Sequence, residues 1–323
     1  MNYQHFAYDL PASETIVFNS VEENEDAMRA FGVTQEIRQL GTGKFRCDMA
    51  VRSTAQAVLF ADRFNKAITS YLEPPVGHVC LLFPRSASGR FRSSGENVAN
   101  DKIVIVPDGC GADIVAPDLC GSEAMAISHT RFKEMAEALC PTSVAPERTA
   151  VIGGDTAGLG RLRNAMLELL AHPERSADDE QVENLIAATV AWMGSSTNGG
   201  NVENITLIGA RSRVAKLAKE FIETHYQDKV RIEDICRFTE VGARTLQRCF
   251  REYYDLTITD YLKAVRLDSA RRELAAADPA EHKVARIALR NGLTNLGRFS
   301  VEFRKRFGVL PSEVLAARRN PKS

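Results

Sequence analysis

Arg244, Gln247, Arg248 and Arg251 stand at i, i+3, i+4 and i+7, the spacing that gathers side chains on one face of an α-helix. Leu246, Cys249 and Phe250 fall on the opposite, apolar face. A guanidinium can pair through two donors with guanine O6 and N7, and a carboxamide through a donor and an acceptor with adenine N7 and N6. The basic face therefore has the chemistry to meet base edges exposed in a major groove. A solvated helix surface has the same composition, so the choice rests on what surrounds these residues.

The surroundings repeat. Leu246-x-x-x-Phe250 recurs 53 residues later as Phe299-x-x-x-Phe303, and Ile235, eleven residues before Leu246, is matched by Ile287, twelve before Phe299. The apolar spacing predicts helices at Ile232–Phe238 and Ala243–Tyr254, then a longer one from Ile258 to Ala276, then Val284–Arg290 and Leu296–Phe307. An amphipathic helix carrying Val214, Leu217, Ala218, Phe221 and Ile222 precedes them and ends near Tyr226. A short helix, a turn and a second helix, used twice, is the helix-turn-helix pattern, whose second helix enters the major groove of double-stranded DNA. Repetition favours the groove-reading interpretation over the solvated surface.

The two units offer unequal readers. The second opens with Asn295-Leu296-Gly297-Arg298, where Arg298 is the strong base-edge candidate and Leu296 can touch a thymine methyl. Sequence discrimination is thus expected mainly from Arg244, Gln247 and Arg248. Arg251, Thr294, Asn295, Arg304, Lys305 and Arg306 are the candidates for phosphate contacts. The 19 residues of the linking helix span roughly 28 Å, close to the roughly 34 Å between successive major-groove faces, so one chain could read two of them.

Charge divides the chain. From Arg211 onward there are 24 Lys and Arg against 15 Asp and Glu, a net of +9, which leaves 17 basic against 27 acidic before it, a net of −10. The basic end is the electrostatic footprint of a polyanion binder. Length alone suggests two domains. Gly194-Ser195-Ser196-Thr197-Asn198-Gly199-Gly200-Asn201 reads as a linker, giving an expected organisation of 1–194, a linker at 195–204, and 205–323. No apolar run is long enough to span a bilayer and the start has no secretory pattern, so no membrane association and a cytoplasmic location are expected. The seven cysteines form no C-x-x-C pair, and neither a metal site nor a cofactor is expected.

Ahead of the linker, Phe45–Val51, Ala55–Phe60, Val79–Phe83, Ile103–Val106 and Asp113–Val115 read as strands of an antiparallel sheet or small barrel. Helices are expected at Val21–Ala30, Thr130–Leu139, Leu159–Ala171 and Asp178–Met193. In the last, Val182, Leu185, Ile186, Thr189, Val190 and Met193 form a stripe that can pack on its own domain or on a second copy, hence a possible homodimer. The fold class is α+β: a sheet domain with helices, then an all-α domain with two helix-turn-helix units.

The ordered run Ile232-Glu233-Asp234-Ile235, Arg244 to Phe250, Asp260-Tyr261-Leu262, Arg266-Leu267-x-x-Ala270-Arg271-Arg272-x-Leu274, Ile287-Ala288, Phe299-Ser300-x-x-Phe303-Arg304 and Phe307-Gly308-Val309-x-Pro311-Ser312-Glu313 resembles the DNA-binding domain of the AraC/XylS regulators. The resemblance covers about residues 211 to 318. It implies that Arg244, Gln247, Arg248, Leu296, Gly297 and Arg298 face the bases. It also implies an N-terminal effector-binding and dimerisation domain, an activator's role, and RNA polymerase as a partner. Asp255 replaces a helix-ending Gly, Gly242 replaces an N-capping Ser, and Leu310 replaces the Ser before Pro311. Leu296-Gly297-Arg298-Phe299 and the Gly43-Lys44-Phe45 entry to the sheet are similar to the subgroup of the ethanolamine-utilisation regulator, which implies ethanolamine or adenosylcobalamin as effector.

Two rival functions have less to stand on. An enzyme would need its chemistry in the N-terminal half, where Gly41-Thr42-Gly43-Lys44 lacks the Gly and Ser/Thr of a phosphate loop at Arg38 and Phe45. Gly158-Leu159-Gly160 lacks the rest of a dinucleotide fingerprint, and His78 and His129 are lone histidines. An architectural DNA binder would not need some 200 residues of additional domain.

Overall fold

The computed structural model describes residues 10, 15–86, 89–141, 146–171, 179–198, 202–203 and 210–317. The chain forms two compact units, Met1–Ile37 with Arg46–Leu207, and Arg38–Phe45 with Ile208–Ser323.

In the first unit the strands are β1 (Ile16–Phe18), β2 (Thr34–Gln39), β3 (Cys47–Ser53), β4 (Ala57–Phe64), β5 (Ile68–Glu73), β6 (His78–Ser86), β7 (Arg92–Ser93), β8 (Glu96–Asn97), β9 (Lys102–Val106), β10 (Ala112–Ala116), β11 (Cys120–Ser128), β12 (Ala150–Gly153) and β13 (Val202–Glu203). Eight of them form one sheet in the order β1-β3-β4-β11-β6-β9-β12-β13, and five a second in the order β2-β5-β10-β7-β8. Neighbours such as β3/β4, β4/β11, β6/β11 and β6/β9 run antiparallel. Helices α1 (Val21–Ala30), α2 (His129–Leu139), α3 (Thr156–Ala171) and α4 (Asp179–Asn198) accompany the sheets.

Strands β6 and β9 of the large sheet are buried on both faces, which is why they read as unbroken apolar runs. Leu81 and Phe83 of β6, Ile103 and Ile105 of β9, and Met125 and Ile127 of β11 pack with the apolar sides of α2, α3 and α4. Alternate residues of the same strands, Cys80 and Leu82 among them, face Ile68, Leu72 and Ile114 of the five-stranded sheet around an internal cavity of about 40 Å³.

Sequence patterning missed β11, the strand at the middle of the large sheet, because Gly121, Ser122 and Glu123 are poor strand formers in isolation. Pairing on both sides carries it, and the buried Glu123 is met by Arg85 at 2.6 Å and Arg163 at 3.4 Å. The strands β1, β2, β5, β7, β8, β12 and β13 were likewise not read.

The glycine- and serine-rich run is not a linker at its start. Helix α4 continues to Asn198, because Gly194 admits the Sγ of Cys140 against the helix and Ser195 and Ser196 turn their hydroxyls onto the carbonyl of Trp192 at 2.8 Å. Val202 and Glu203 then pair with Ile152 and Val151. Residues 199–201 and 204 of the expected linker lie outside the described residues. The Val182–Met193 stripe belongs to the unit's own core, so it gives the expected homodimer no support.

The second unit is helical: α5 (Ala210–His225), α6 (Ile232–Thr239), α7 (Ala243–Tyr254), α8 (Ile258–Ala276), α9 (Val284–Arg290), α10 (Leu296–Phe307) and α11 (Pro311–Ala317). The bounds of α7 to α10 coincide with those expected. Helix α11 was not expected; it starts at Pro311, where a missing N–H costs nothing, and Glu313 accepts the backbone N–H of Leu310 at 2.6 Å. Gly43-Lys44-Phe45 leads into β3 as expected, yet Arg38–Phe45 groups with this unit: the N–H of Gly43 donates to the carbonyls of Lys305 and Arg306, each at 3.0 Å. No helix follows Gly41-Thr42-Gly43-Lys44, so the run has none of the architecture of a phosphate loop.

Candidate nucleic-acid interface

The anchors of the two repeats are buried as their spacing requires. Ile235, Leu246 and Phe250 are fully buried in the first unit, and Ile287 and Phe303 in the second, with Phe299 nearly so. Helices α7 and α10 are both 12 residues long and stand in register at an offset of 53. Each ends on a left-handed residue, Asp255 at φ 55° and Gly308 at φ 73°. Asp is among the residues that tolerate this conformation, so the replacement of Gly leaves the turn intact. Gly242 caps α7 without a side-chain hydrogen bond, whereas Asn295 caps α10 by accepting the N–H of Arg298 at 3.0 Å.

Helix α8 holds the units at a fixed separation. Its Tyr261 donates to Glu223 of α5 at 2.6 Å, and Arg266 donates to the carbonyls of Tyr226 and Asp228 at 2.8 and 2.7 Å. Gly292, at φ +71°, is required in the turn of the second unit: a Cβ there would lie 2.8 Å from both the carbonyl of Tyr226 and Nε of Arg266. Asn291, buried beside it, donates to Glu273 of α8 at 2.6 Å and to the carbonyl of Ile287 at 2.8 Å. Also on α8, Lys263 pairs with Glu302 of α10 at 2.7 Å.

Arg244, Gln247, Arg248 and Arg251 are all exposed on α7, opposite the buried Leu246, Cys249 and Phe250. Among the described residues Arg244, Gln247 and Arg248 make no ion pair or side-chain hydrogen bond, so their donors are available. On α10 the equivalent positions are Gly297, Ser300 and Val301. Leu296 and Arg298 are exposed as expected, but Arg298 is engaged at Nε by Glu302 at 2.9 Å. Thr294, Asn295, Arg304 and Lys305 are exposed; the side-chain oxygen of Asn295 is committed to its cap.

Arg306 departs from its expected place at the phosphates. It is half-buried, its guanidinium donates to the carbonyl of Gln39, and Gln39 Nε2 donates back to the Arg306 carbonyl at 2.6 Å. The offset explains why: Arg306 occupies the position of the buried Tyr253, an inward-facing site. Burial lowers its affinity for protons, and Asp268 offsets part of that. Asp268 of α8 is itself buried with no hydrogen bond to either oxygen among the described residues, and burial pushes its carboxyl up to about 6 against the pull of Arg271, Arg306, Arg38 and Arg272.

Sequence reasoning missed Val301, 69% exposed on the outward face of α10, although the 53-residue offset sets it at the position of Arg248. An apolar side chain there can meet a thymine methyl. It also missed Glu302 and Lys263, whose pairing depends on the packing of α8 against α10. Among the described residues no cluster of three or more His, Cys, Asp or Glu could hold a metal ion, and no helix is long and apolar enough to cross a membrane.

Two helix-turn-helix units joined by one linking helix define a double helix-turn-helix DNA-binding domain. A family profile for a helix-turn-helix domain matches residues 235–317. The probable thc operon regulatory protein of Rhodococcus erythropolis is 37% identical over 102 residues, covering 32% of this chain and 31% of that protein. The transcriptional activator RhaS of Salmonella paratyphi B is 32% identical over 112 residues, covering 34% of this chain and 39% of RhaS. A solved regulator from Chromobacterium violaceum with an AraC-type DNA-binding domain is 25% identical, with 34% of this chain and 96% of that chain covered and a TM-score of 0.31. Residues 235–317 thus form a helix-turn-helix domain, and the chain is similar in sequence to these transcription regulators. The matches to the two curated relatives span only about a third of their length.

Proposed function

We propose that the whole chain is a sequence-specific transcription regulator that reads two successive major grooves of double-stranded DNA and is controlled by a small molecule bound to its N-terminal unit. The observation that carries this reading is the 53-residue register of α7 and α10, with Arg244, Gln247 and Arg248 on the first exposed and without partners among the described residues. Footprinting of the full chain on the DNA upstream of its own gene tests it. The expected result is protection of discrete sites, each with two segments about one helical turn apart. Uniform protection of every sequence would favour the architectural reading instead.

The control element rests on a cleft of about 900 Å³ beside α3 and α4, lined among others by Arg52, Arg161, Leu162, Gln181, Asn184 and Trp192. That volume lies within the range of small-molecule sites, and the lining combines apolar surface with both charged and amide groups. Trp192 is the chain's one tryptophan, so its emission reports on the cleft directly. A metabolite screen by thermal shift should yield a stabilising compound that also changes Trp192 emission. Stabilisation without a change in emission would place the effector elsewhere.

The role of activator is supported by the likeness to RhaS, which is named an activator; a cytoplasmic, non-enzymatic chain that contacts RNA polymerase completes the proposal. Transcription from the protected promoter in a purified system, with and without the chain, checks that part. A homodimer is the remaining element of the proposal, and sedimentation of the full chain decides it.

A further inference from the structure

Helix α10 carries a carboxylate where α7 has the buried Cys249. Glu302 is 18% exposed, and its Oε1 receives Nζ of Lys263 at 2.7 Å and Nε of Arg298 at 2.9 Å. Partial burial pushes its carboxyl up, and the hydrogen bonds from Lys263 and Arg298 more than reverse this, leaving it below the ordinary value. The cluster is therefore charged at neutral pH.

Its geometry constrains Arg298. That side chain is 72% exposed and lies in the first turn of α10, where a reading helix presents its base contacts. Held through Nε, the guanidinium keeps its two terminal amino groups outside the ion pair, and these are the donors that form the fork to guanine O6 and N7. Lys263 lies on α8, so the brace is fixed to the element that sets the spacing of the two units. A carboxylate this close to a polyanion opposes binding in general, so its contribution falls on selectivity rather than on affinity.

We propose that Glu302 is a positioning residue for sequence readout, which with Lys263 fixes Arg298 as a guanine-directed reader. The second unit then discriminates through one braced arginine instead of a row of readers. This rests on the reading that α10 enters a major groove.

The test compares the full chain with its Arg298→Ala, Glu302→Gln, Glu302→Ala and Lys263→Met variants. Each is equilibrated with double-stranded DNA randomised one position at a time across the recovered site, and the bound fraction is sequenced. Arg298→Ala should abolish a preference for guanine at one base pair. Glu302→Ala should reduce that same preference by about tenfold, Glu302→Gln by less, and binding to random DNA should hold or rise. Lys263→Met should weaken the preference at the same base pair.

Glu302→Ala should change nothing further once Arg298 is alanine. If Arg298→Ala alters one position and neither Glu302 variant does, the bracing role fails while the groove reading stands. If Arg298→Ala alters no position, the groove reading of α10 fails and the proposal with it. A loss of preference spread over all positions, with a lowered unfolding midpoint in both Glu302 variants, assigns Glu302 to stability alone and overturns the proposal too.

Discussion

On α7, Arg244, Gln247 and Arg248 face outward without partners among the described residues, whereas the same three positions of α10 hold Gly297, Ser300 and Val301, and Arg298 in its first turn is tied to Glu302. The scaffold beneath is closely repeated: buried Leu246 and Phe250 correspond to Phe299 and Phe303, and Tyr254 to Phe307. Two inward positions also diverge, Cys249 to Glu302 and Tyr253 to Arg306, and each charged replacement has found a partner inside the unit. Packing volume thus constrains the core of a repeated motif, because a buried charge without a partner is costly, while the outward face is free to specialise. Identical backbone register does not imply the same outward chemistry.

The comparison breaks most severely at the core. Phe303→Ala removes a fully buried ring that contacts Phe299 and Phe307, and should cost about 3 to 5 kcal/mol in denaturant unfolding. A loss no larger than that of a surface substitution would mean that α10 is not packed as described.

Next in size is the asymmetry of the readers. Arg248→Ala should cost about 1 to 3 kcal/mol at the specific site and relax preference at one base pair. Val301→Ala, at the equivalent position, removes at most a thymine-methyl contact worth less than about 1 kcal/mol. Equal losses for the two variants would erase the distinction drawn between the helices, and an equal loss for Arg248→Ala on random DNA would make it a phosphate contact.

Asp268 sharpens the comparison through pH. Its value of about 6 lies above the ordinary 3.8, so between these values the folded chain holds a proton that the unfolded chain has released. The associated stability is fully present below about 4 and is lost as pH rises through about 6. Asp268→Asn should therefore stabilise the chain at about pH 7.5 by on the order of 1 to 2 kcal/mol, with the difference vanishing towards pH 4. A stabilisation that is constant with pH would remove the titration of Asp268 as its cause.

The smallest effect lies at the caps. A Cβ at Gly242 meets open space, so Gly242→Ser should let α7 acquire the cap that Asn295 gives α10, raising stability by about 0.3 kcal/mol. Thermal unfolding of the two forms side by side measures it.

The sequence was most legible where local rules and burial agree. In the second unit the apolar spacing of 3.6 residues, the turn chemistry and the 53-residue repeat all lie within short stretches, and the bounds of α7 to α10 follow from them. In the first unit the strands are defined by partners far along the chain. Cys120–Ser128 becomes a strand only because β4 and β6 flank it, and at Gly194 to Ser196 the helix is supported by Cys140 against Gly194 and by the Trp192 carbonyl that accepts both serine hydroxyls.

At the interface, the sequence by itself determined which residue types face outward, because a helix's face is fixed by its periodicity. It could not determine which of those side chains are free, since an ion pair depends on what packs alongside. Only the tertiary structure decided that Arg306 is occupied by Gln39 and that Lys263 of α8 and Arg298 of α10 converge on Glu302. Those contacts set the charges and geometry the second unit can offer to DNA, and in the first pair 267 residues separate the two partners.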